Sequence, residues 1–402
     1  MTVSQHLALA LLPLVLSAAP QQDAAEPVVP QLVVEQAGGA VARRPVEGLE
    51  LESLEAVGGA LWRVEGVGPA PASLEGDDVA RVELVGGGEI LGRLLGGDGE
   101  FLDLRLVGGT QLRLSIEEIA SLRLEARYPD VWTEPVVAAE AGDRLFRMSG
   151  TGLDRIDGTI DAFSLEGVTF ETSLGPKTFP WGQVAALFVE VFEEDEGATP
   201  EDAVVVDLVD GSRMTFGFRR LTASGLDLVT PLGRGLRLPL DALSEVLVLD
   251  SGVRFLSDLE PVASTDTAPF GDDLGMIWPA RRDRSTSGSA LRAGGRVWTR
   301  GLGVHAPSRV EYELGGDWAQ LRGAVAIDDE VVPLPARGSV RFRVLGDGRA
   351  LWESEVVRGG DAPLSLPPLE LKGVQRLVLE VDSADEMHVG DRADWLRLVL
   401  SR

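Results

Sequence analysis

The stretch "SVRFRVLGDGRALWESEV", residues 339–356, alternates apolar and polar residues on both sides of an Asp347-Gly348 pair. Alternation with a period of two is typical of a β-strand with one buried face. An Asp-Gly pair between two such runs is a strong signal for a tight hairpin. "RVEYEL" (309–314) and "VQRLVLEVDS" (374–383) alternate in the same way. This many strands within about 140 residues favours a β-sandwich.

Three stretches before this region share one order of features. An alternating strand leads through a Gly-containing turn to a second strand, and a short third strand ends at Gly109, Gly175 or Gly233. A fourth strand then runs through "IEEI", "WGQV" or "LDAL" into a last apolar strand. Five short strands in about 50 residues bury a small core by curling into a barrel. We therefore predict SH3-like or Sm-like β-barrel repeats over 73–127, 136–192 and 201–251.

The N-terminal segment has the pattern of a secretory signal. Residues 7–19, "LALALLPLVLSAA", form an apolar run followed by small and polar residues, and the run is shorter than the about 20 residues of a transmembrane helix. We predict a signal peptide over 1–22, and hence a secreted or periplasmic bacterial protein with no membrane span after cleavage. Residues 23–72 are expected to be a linker plus either a degenerate β unit or a β extension.

Composition excludes several classes of function. The 402-residue chain carries a formal charge of −27, which would repel nucleic acid and anionic lipid. It contains no cysteine, so disulfides, thiol catalysis and cysteine-ligated zinc are excluded. The acidic run 190–202 is expected to be a solvated connector between the second and third repeats.

The sequence gives little support to catalysis. Its three histidines, His6, His305 and His388, have no H-x-x-H spacing, and no G-x-S-x-G elbow occurs. Strands do not alternate with helices, so a (β/α)8 glycosidase barrel is not expected. We therefore predict no catalytic residues and no certain cofactor.

Two segments and one histidine are candidate binding residues. "IDDE" (327–330) places Asp328, Asp329 and Glu330 at a strand end, where they could offer oxygens to Ca²⁺. The alternative is a solvated turn, or a turn in which Asp328 accepts backbone N–H groups. His305, flanked by glycines, is expected to bond either a sugar hydroxyl or its own loop.

The second segment is "GDRADWLRLVL" (390–400), which places Arg392, Asp394 and Trp395 just before the last strand. Arginine and aspartate can form bidentate hydrogen bonds to vicinal hydroxyls, and an indole face can pack on a pyranose ring. The alternative is that Trp395 belongs to the core and Asp394 caps a loop.

Four motifs in order, "GLGVHAPSRVEYEL", "AVAIDDEV", "GSVRFRVLGDGRALWESEV" and "GDRADW", resemble the NPCBM family of carbohydrate-binding modules. The resemblance covers residues 254–402 and implies a galactose-binding-like β-sandwich of the jelly-roll type. Some members of that family bind galactose-containing glycans and carry a structural calcium.

By position, the resemblance assigns His305, Asp394 and Trp395 to carbohydrate binding and Asp328, Asp329 and Glu330 to the metal; Arg392 joins the predicted carbohydrate-binding residues through its own hydrogen-bonding chemistry. This chain departs from the family in its Pro-rich segment 330–340, and Arg392 stands where the family has a histidine.

The sequence as a whole predicts an all-β protein in which tandem small SH3-like barrels precede a C-terminal β-sandwich. The expected function is secreted, non-catalytic binding of glycans, of galactose type by the resemblance. One alternative is a structural or protein-interaction role in the cell envelope, with other envelope proteins contacting the repeats. A glycoside hydrolase or its accessory subunit is a further alternative.

Overall fold

The computed structural model describes residues 29–85, 87–129, 134–192, 202–265, 278–385 and 389–402. Within them the chain is all-β, and the α-helix Leu54–Val57 is a single turn stabilised by the side chain of Ser53 at its N-terminus. Among these residues no helix is long and apolar enough to cross a bilayer. The predicted signal peptide, most of the acidic connector and His388 lie outside the described residues.

The three predicted repeats each contain five strands. They are β5 (Val79–Leu84), β6 (Glu89–Asp98), β7 (Phe101–Arg105), β8 (Gln111–Ser115) and β9 (Ile119–Arg123); β10 (Asp143–Ser149), β11 (Gly152–Phe163), β12 (Gly167–Thr172), β13 (Gly175–Pro180) and β14 (Val184–Phe188); and β15 (Ala203–Leu208), β16 (Arg213–Thr222), β17 (Gly225–Val229), β18 (Gly235–Leu238) and β19 (Leu243–Val248).

The pairing within each repeat is the same. The first four strands form a meander, and the fifth strand pairs antiparallel with the first, as β9 does with β5. A one-turn 3₁₀-helix precedes the fifth strand at Ile116–Glu118, Trp181–Gln183 and Leu240–Ala242. These turns coincide with the connectors "IEEI", "WGQV" and "LDAL". The shared order supports a repeat, whereas its SH3-like character stays a prediction.

The late glycine of each repeat adopts a backbone conformation that favours glycine. Gly109, Gly175 and Gly233 have φ angles of 86°, 100° and 81°. A side chain with a Cβ is strained in that region, so the turn requires glycine at this place. The glycine pattern seen in the sequence therefore marks real turns.

The segment before the repeats consists of β1 (Gln31–Glu35), β2 (Val41–Pro45), β3 (Glu50–Leu51) and β4 (Leu61–Glu65). Strand β1 pairs with β2 and β4, and β4 pairs with β19 of the third repeat. Of the two alternatives for residues 23–72, this pairing fits a β extension of the third repeat.

The C-terminal region is a sandwich of two antiparallel sheets. One sheet contains β20 (Val253–Phe255), β22 (Arg281–Arg282), β25 (Gly301–His305), β27 (Gln320–Ile327), β31 (Leu364–Ser365), β32 (Leu369–Glu370) and β34 (Arg392–Ser401). The other contains β21 (Ala263–Thr265), β26 (Ser308–Glu313), β28 (Ser339–Gly346), β29 (Arg349–Glu353), β30 (Val357–Arg358) and β33 (Arg376–Ser383). A separate hairpin consists of β23 (Leu291–Ala293) and β24 (Arg296–Trp298).

Asp347 and Gly348 form the turn between β28 and β29, with φ angles of 49° and 78°. Two consecutive positive φ angles are the signature of the turn that suits a two-residue hairpin. The inward-facing residues of the two sheets, including Phe342 and Trp395, share one apolar core. The predicted β-sandwich is confirmed.

The sandwich and the third repeat meet through an apolar cluster and a buried ionic network. Leu61, Leu247, Phe255 and Val399 pack together between them. Beside them the guanidinium of Arg300, which is 2% exposed, donates to Asp207 at 2.6 Å and also to Asp258. We call this contact region the domain junction.

Arg213 extends the ionic network of the domain junction. It donates to Asp207 at 2.8 Å and to Asp283 at 2.8 Å. Strand β16 of the third repeat therefore bonds to the loop after β22 of the sandwich. Because these ion pairs are buried and join the two domains, they restrict how the sandwich can be oriented relative to the third repeat.

Candidate functional site

Three neighbouring strands bring the predicted residues to one edge of the sandwich. Strand β34 lies between β25 and β27, and it runs antiparallel to both. His305 at the end of β25 is therefore opposite Arg392 at the start of β34, while β27 ends beside them at Ile327. We call this place, with residues 278, 285–287, 305, 328–330 and 391–394, the loop edge.

His305 is buried and held in one orientation. Its ring stacks on the indole of Trp278, with centroids 4.2 Å apart and an angle of 13° between the planes. Nδ1 lies 2.9 Å from the carbonyl oxygen of Ala306. Because a carbonyl only accepts, Nδ1 carries the hydrogen in this contact. The side chain of His305 therefore supports the half-buried Trp278 from below and also bonds its own loop.

Arg392 is the partly exposed cation of the loop edge. Its guanidinium lies 3.0 Å from Glu330 Oε1. The hydroxyl of Ser287 donates to Glu330 Oε2 at 2.6 Å, and Ser285 lies 3.4 Å from the same oxygen. These contacts orient the guanidinium while about a third of the Arg392 side chain stays exposed. An oriented arginine with free N–H groups is suited to hydroxyl or carboxylate ligands.

Asp328 and Asp394 form a buried carboxyl pair. Burial is the main cause of a raised pKa at both, and at Asp394 the neighbouring Asp328 adds to the effect, so that the pKa of Asp394 lies well above its usual range. Burial and the neighbouring Asp328 therefore favour the protonated form of Asp394, which can donate to Asp328. The carboxylate of Asp328 also accepts the backbone N–H groups of Glu330 and Arg292, at 2.8 and 3.0 Å.

The three acidic residues at the end of β27 bond to different partners. Asp329 accepts the backbone N–H groups of Gly294 and Gly295, at 3.3 and 2.8 Å, and so fixes the β23–β24 turn. Asp328 and Glu330 bond the partners described above. Among the described residues no group of three or more His, Cys, Asp or Glu residues is arranged to hold a metal ion. Asp328, Asp329 and Glu330 therefore do not form a three-carboxylate site in this structure, and their side chains connect loops.

Trp395 lies in the core of the sandwich and not at the surface, where a sugar could contact it. The indole is 1% exposed and packs edge-on against Phe342 in the sandwich core, with ring centroids 5.0 Å apart. Asp394 is likewise 1% exposed. Neither side chain has a surface that a ligand could contact, and the alternative of a core role fits both.

Trp278 is the residue that sequence reasoning missed at this site. The sequence gives no reason to select Trp278 among the C-terminal tryptophans, because it lies in a Pro/Asp-rich stretch without the alternation that marks a strand. Ser285 and Ser287 were also missed, because their partner Glu330 is more than 40 residues away in the chain. No local pattern could have connected them.

These geometries coincide with a family match. A family model described as the NPCBM/NEW2 domain matches residues 252–401. The match covers a little over a third of the chain and coincides with the C-terminal sandwich, to which the loop edge belongs. It supports a carbohydrate-binding module in this part of the chain.

Several known proteins are similar to parts of this chain. An alpha-1,3-galactosidase B from Akkermansia muciniphila is 38% identical over 122 residues, which are 29% of this chain and 15% of that protein. The CBM51 of Clostridium perfringens GH95, solved in complex with methyl-galactose, is 19% identical and covers 37% of this chain and 99% of its own, with a TM-score of 0.33.

The tandem CBM51 modules of a Streptococcus pneumoniae family 98 glycoside hydrolase are 15% identical. They cover 64% of this chain and 88% of their own, with a TM-score of 0.32. The chain spans only a small part of the curated relative from Akkermansia muciniphila.

Proposed function

We propose that this protein is an exported, non-catalytic glycan-binding protein that holds a galactose-type sugar at the loop edge. The observation that carries the proposal is that Trp278 stacks on His305, which lies opposite Arg392 and its oriented guanidinium in the paired strands. An aromatic ring packs on the C–H face of a sugar, and a neighbouring arginine donates to its hydroxyls. Both parts lie in the module that the family match covers.

The charge arrangement suits a neutral sugar. Glu330 balances Arg392, while burial and the neighbouring Asp328 raise the pKa of Asp394 and so favour its neutral form. The exposed rim therefore offers paired donors and acceptors with little uncompensated charge. Sugar hydroxyls exchange water for such groups at small net gain, so the expected free energy of binding is about 4–6 kcal/mol.

Galactosides are the first class to test. The relative with 38% identity over 122 residues is named an alpha-1,3-galactosidase. A bound galactoside at the loop edge would make the module a targeting element rather than a reaction site.

A non-catalytic role is supported by the carboxyl pair. Glycoside hydrolysis uses two carboxyl groups about 5–10 Å apart across a cleft. Asp328 and Asp394 are neighbouring and buried, each only 1% exposed, so no substrate can enter between them. Export follows the N-terminal apolar pattern and stays part of the proposal.

A glycan array with the full chain tests the proposal. We expect retention on galactose-terminated glycans, with and without a chelator, because the acidic residues bond protein groups rather than a metal. Arg392→Ala should weaken retention about tenfold, whereas Arg341→Ala, an exposed arginine of β28 on the other sheet, should leave it unchanged. Absence of retention on every glycan would instead favour a structural role in the envelope.

A further inference from the structure

A pocket of about 330 Å³ lies at the domain junction, away from the loop edge. One wall comes from the extension and the third repeat, with Arg63, Ser244 and Glu245. The other comes from the sandwich and includes the β23–β24 hairpin, with Arg296 and Trp298. We call this the junction pocket. Its volume lies within the range of small-ligand sites.

The junction pocket is separate from the loop edge along the same strand. Arg397, which lines the pocket, follows Arg392 by five residues in β34. At about 3.3 Å per residue the two places are roughly 16 Å apart. One sugar ring cannot contact both.

All but one of the arginines in this pocket are neutralised by carboxylates. Arg397 donates to Glu245 at 2.9 Å and to Glu35 at 2.8 Å, and Arg322 donates to Glu35 at 2.5 Å. Arg63 bonds Glu65 at 2.8 Å. Arg300 is bonded to aspartates of the junction network, as described above. Glu35, Glu245 and Glu65 are therefore already paired with other arginines.

Arg296 is the exception. Within the described part of the chain no carboxylate lies within ion-pairing distance of its guanidinium, which instead stacks over Trp298 at 3.9 Å from the ring centroid. Trp298 is itself fixed, because its Nε1 donates to the carbonyl of Ala293 at 3.2 Å. The pKa of Arg296 is lowered, first by burial and then by the nearby cations Arg63 and Arg397. The carboxylates Glu245 and Glu65 oppose this lowering from a distance. A cation without a carboxylate in ion-pairing contact thus faces the pocket in a chain whose formal charge is −27.

The rest of the lining combines hydroxyl groups with an apolar surface. Ser244 and Thr299 bond each other at 3.2 Å across the two walls. Leu366, Pro368 and Leu396 provide carbon surface nearby. Hydroxyls beside carbon surface suit a sugar ring, and the planar guanidinium suits a carboxylate or sulfate group.

We propose that the junction pocket binds an acidic sugar, with Arg296 pairing its anionic group. The choice of a sugar rests on the proposed function, whereas the anionic group follows from the unpaired Arg296. Because the walls belong to different domains, the ligand also bridges the third repeat and the sandwich. The site therefore adds a second specificity, for acidic glycans, to that of the loop edge.

Isothermal titration of the full chain tests this proposal with four probes: methyl galactoside, galacturonic acid, galactose 6-sulfate and inorganic sulfate. The wild type is compared with Arg296→Gln and with Arg292→Gln, which changes an exposed arginine on the other strand of the same hairpin. We expect the acidic sugars to bind the wild type and the Arg292 variant equally, and Arg296→Gln to weaken them at least tenfold. Whichever acidic sugar binds more tightly identifies the anionic group as carboxylate or sulfate.

Three results would overturn the acidic-sugar site. They are no binding of either acidic sugar at about 10 mM, equal binding by Arg296→Gln, or inorganic sulfate binding as tightly as the sugars. The methyl galactoside arm separates the two proposals. If it fails while the acidic sugars bind, the loop edge is wrong and the junction pocket stands; the reverse result rejects only the junction pocket.

Discussion

The loop edge and the domain junction both bury carboxyl groups, but the neighbours of those groups differ. At the junction, burial raises the pKa of Asp258, and the cations Arg300 and Arg213 oppose the rise. At the loop edge, burial raises the pKa of Asp394, and the adjacent carboxyl Asp328 reinforces the rise. The domain junction therefore contains buried charges of opposite sign that stabilise each other, whereas the loop edge contains a buried carboxyl pair in which the neutral form of Asp394 is favoured. Removal of a charged partner should therefore destabilise the domain junction, whereas a rise in pH should destabilise the loop edge.

The strongest expected effect comes from the core beneath the loop edge. Trp395→Ala removes a buried indole that packs on Phe342, and large aromatic deletions in cores cost about 3–5 kcal/mol. Chemical denaturation of the full chain measures the loss. The control is Trp352→Ala, which removes a half-buried tryptophan of β29 and should cost less. Equal costs for the two variants would contradict the core role of Trp395.

Loss of one arginine from the domain junction should lower the free energy of unfolding nearly as much as Trp395→Ala does. Arg300→Ala leaves Asp207, which is 2% exposed, with only Arg213 as a partner, and breaking such a buried pair costs about 3 kcal/mol or more. The same denaturation experiment measures it. Arg282→Ala removes an exposed pair with Glu260 and should cost less than about 1 kcal/mol. A small effect at both positions would show that the ionic network does not stabilise the junction.

The raised pKa of Asp394 at the loop edge should make the stability of the protein depend on pH. Folded Asp394 keeps a proton that the unfolded chain releases near its ordinary pKa of 3.8, so this residue's contribution to stability falls as pH rises above that value. Asn resembles the protonated acid, so Asp394→Asn should lose less stability between pH 4 and pH 8 than the wild type does. Melting temperatures across that range check the difference.

Asp382→Asn provides the matched control for this pH series, because Asp382 is exposed and lies 3.4 Å from Arg343. The control variant should follow the wild type. A parallel decline in Asp394→Asn and the wild type would mean that Asp394 is ionised in the folded protein.

The positions of turns could be predicted from the sequence better than the face of the sheet on which a side chain lies. Asp347-Gly348 and the late glycines are local signals, since a positive φ angle restricts the residue itself, and the structure has turns at each of them. Trp395 was assigned to a loop before the last strand, but β34 begins already at Arg392. Alternation from that earlier start points Trp395 into the core and Asp394 to the opposite face. Strand register is a long-range property that no local pattern reveals.

The partners of the acidic strand end were unpredictable for a related reason. Asp329 bonds the turn at Gly294 and Gly295, some 35 residues earlier, and Glu330 bonds Ser287 across 43 residues. Adjacent carboxylates in a sequence fit a calcium site and a loop anchor equally well. Only the fold decides between them, because it determines which N–H and O–H groups come near.

The central claim, that the loop edge binds a sugar through Trp278 and Arg392, is tested most directly by calorimetric titration of methyl galactoside into the full chain and into Trp278→Ala. The account predicts weak binding by the wild type, with a dissociation constant between about 0.05 and 1 mM. It also predicts loss of at least tenfold in the variant with unchanged melting temperature. Equal binding by Trp278→Ala and the wild type would contradict it.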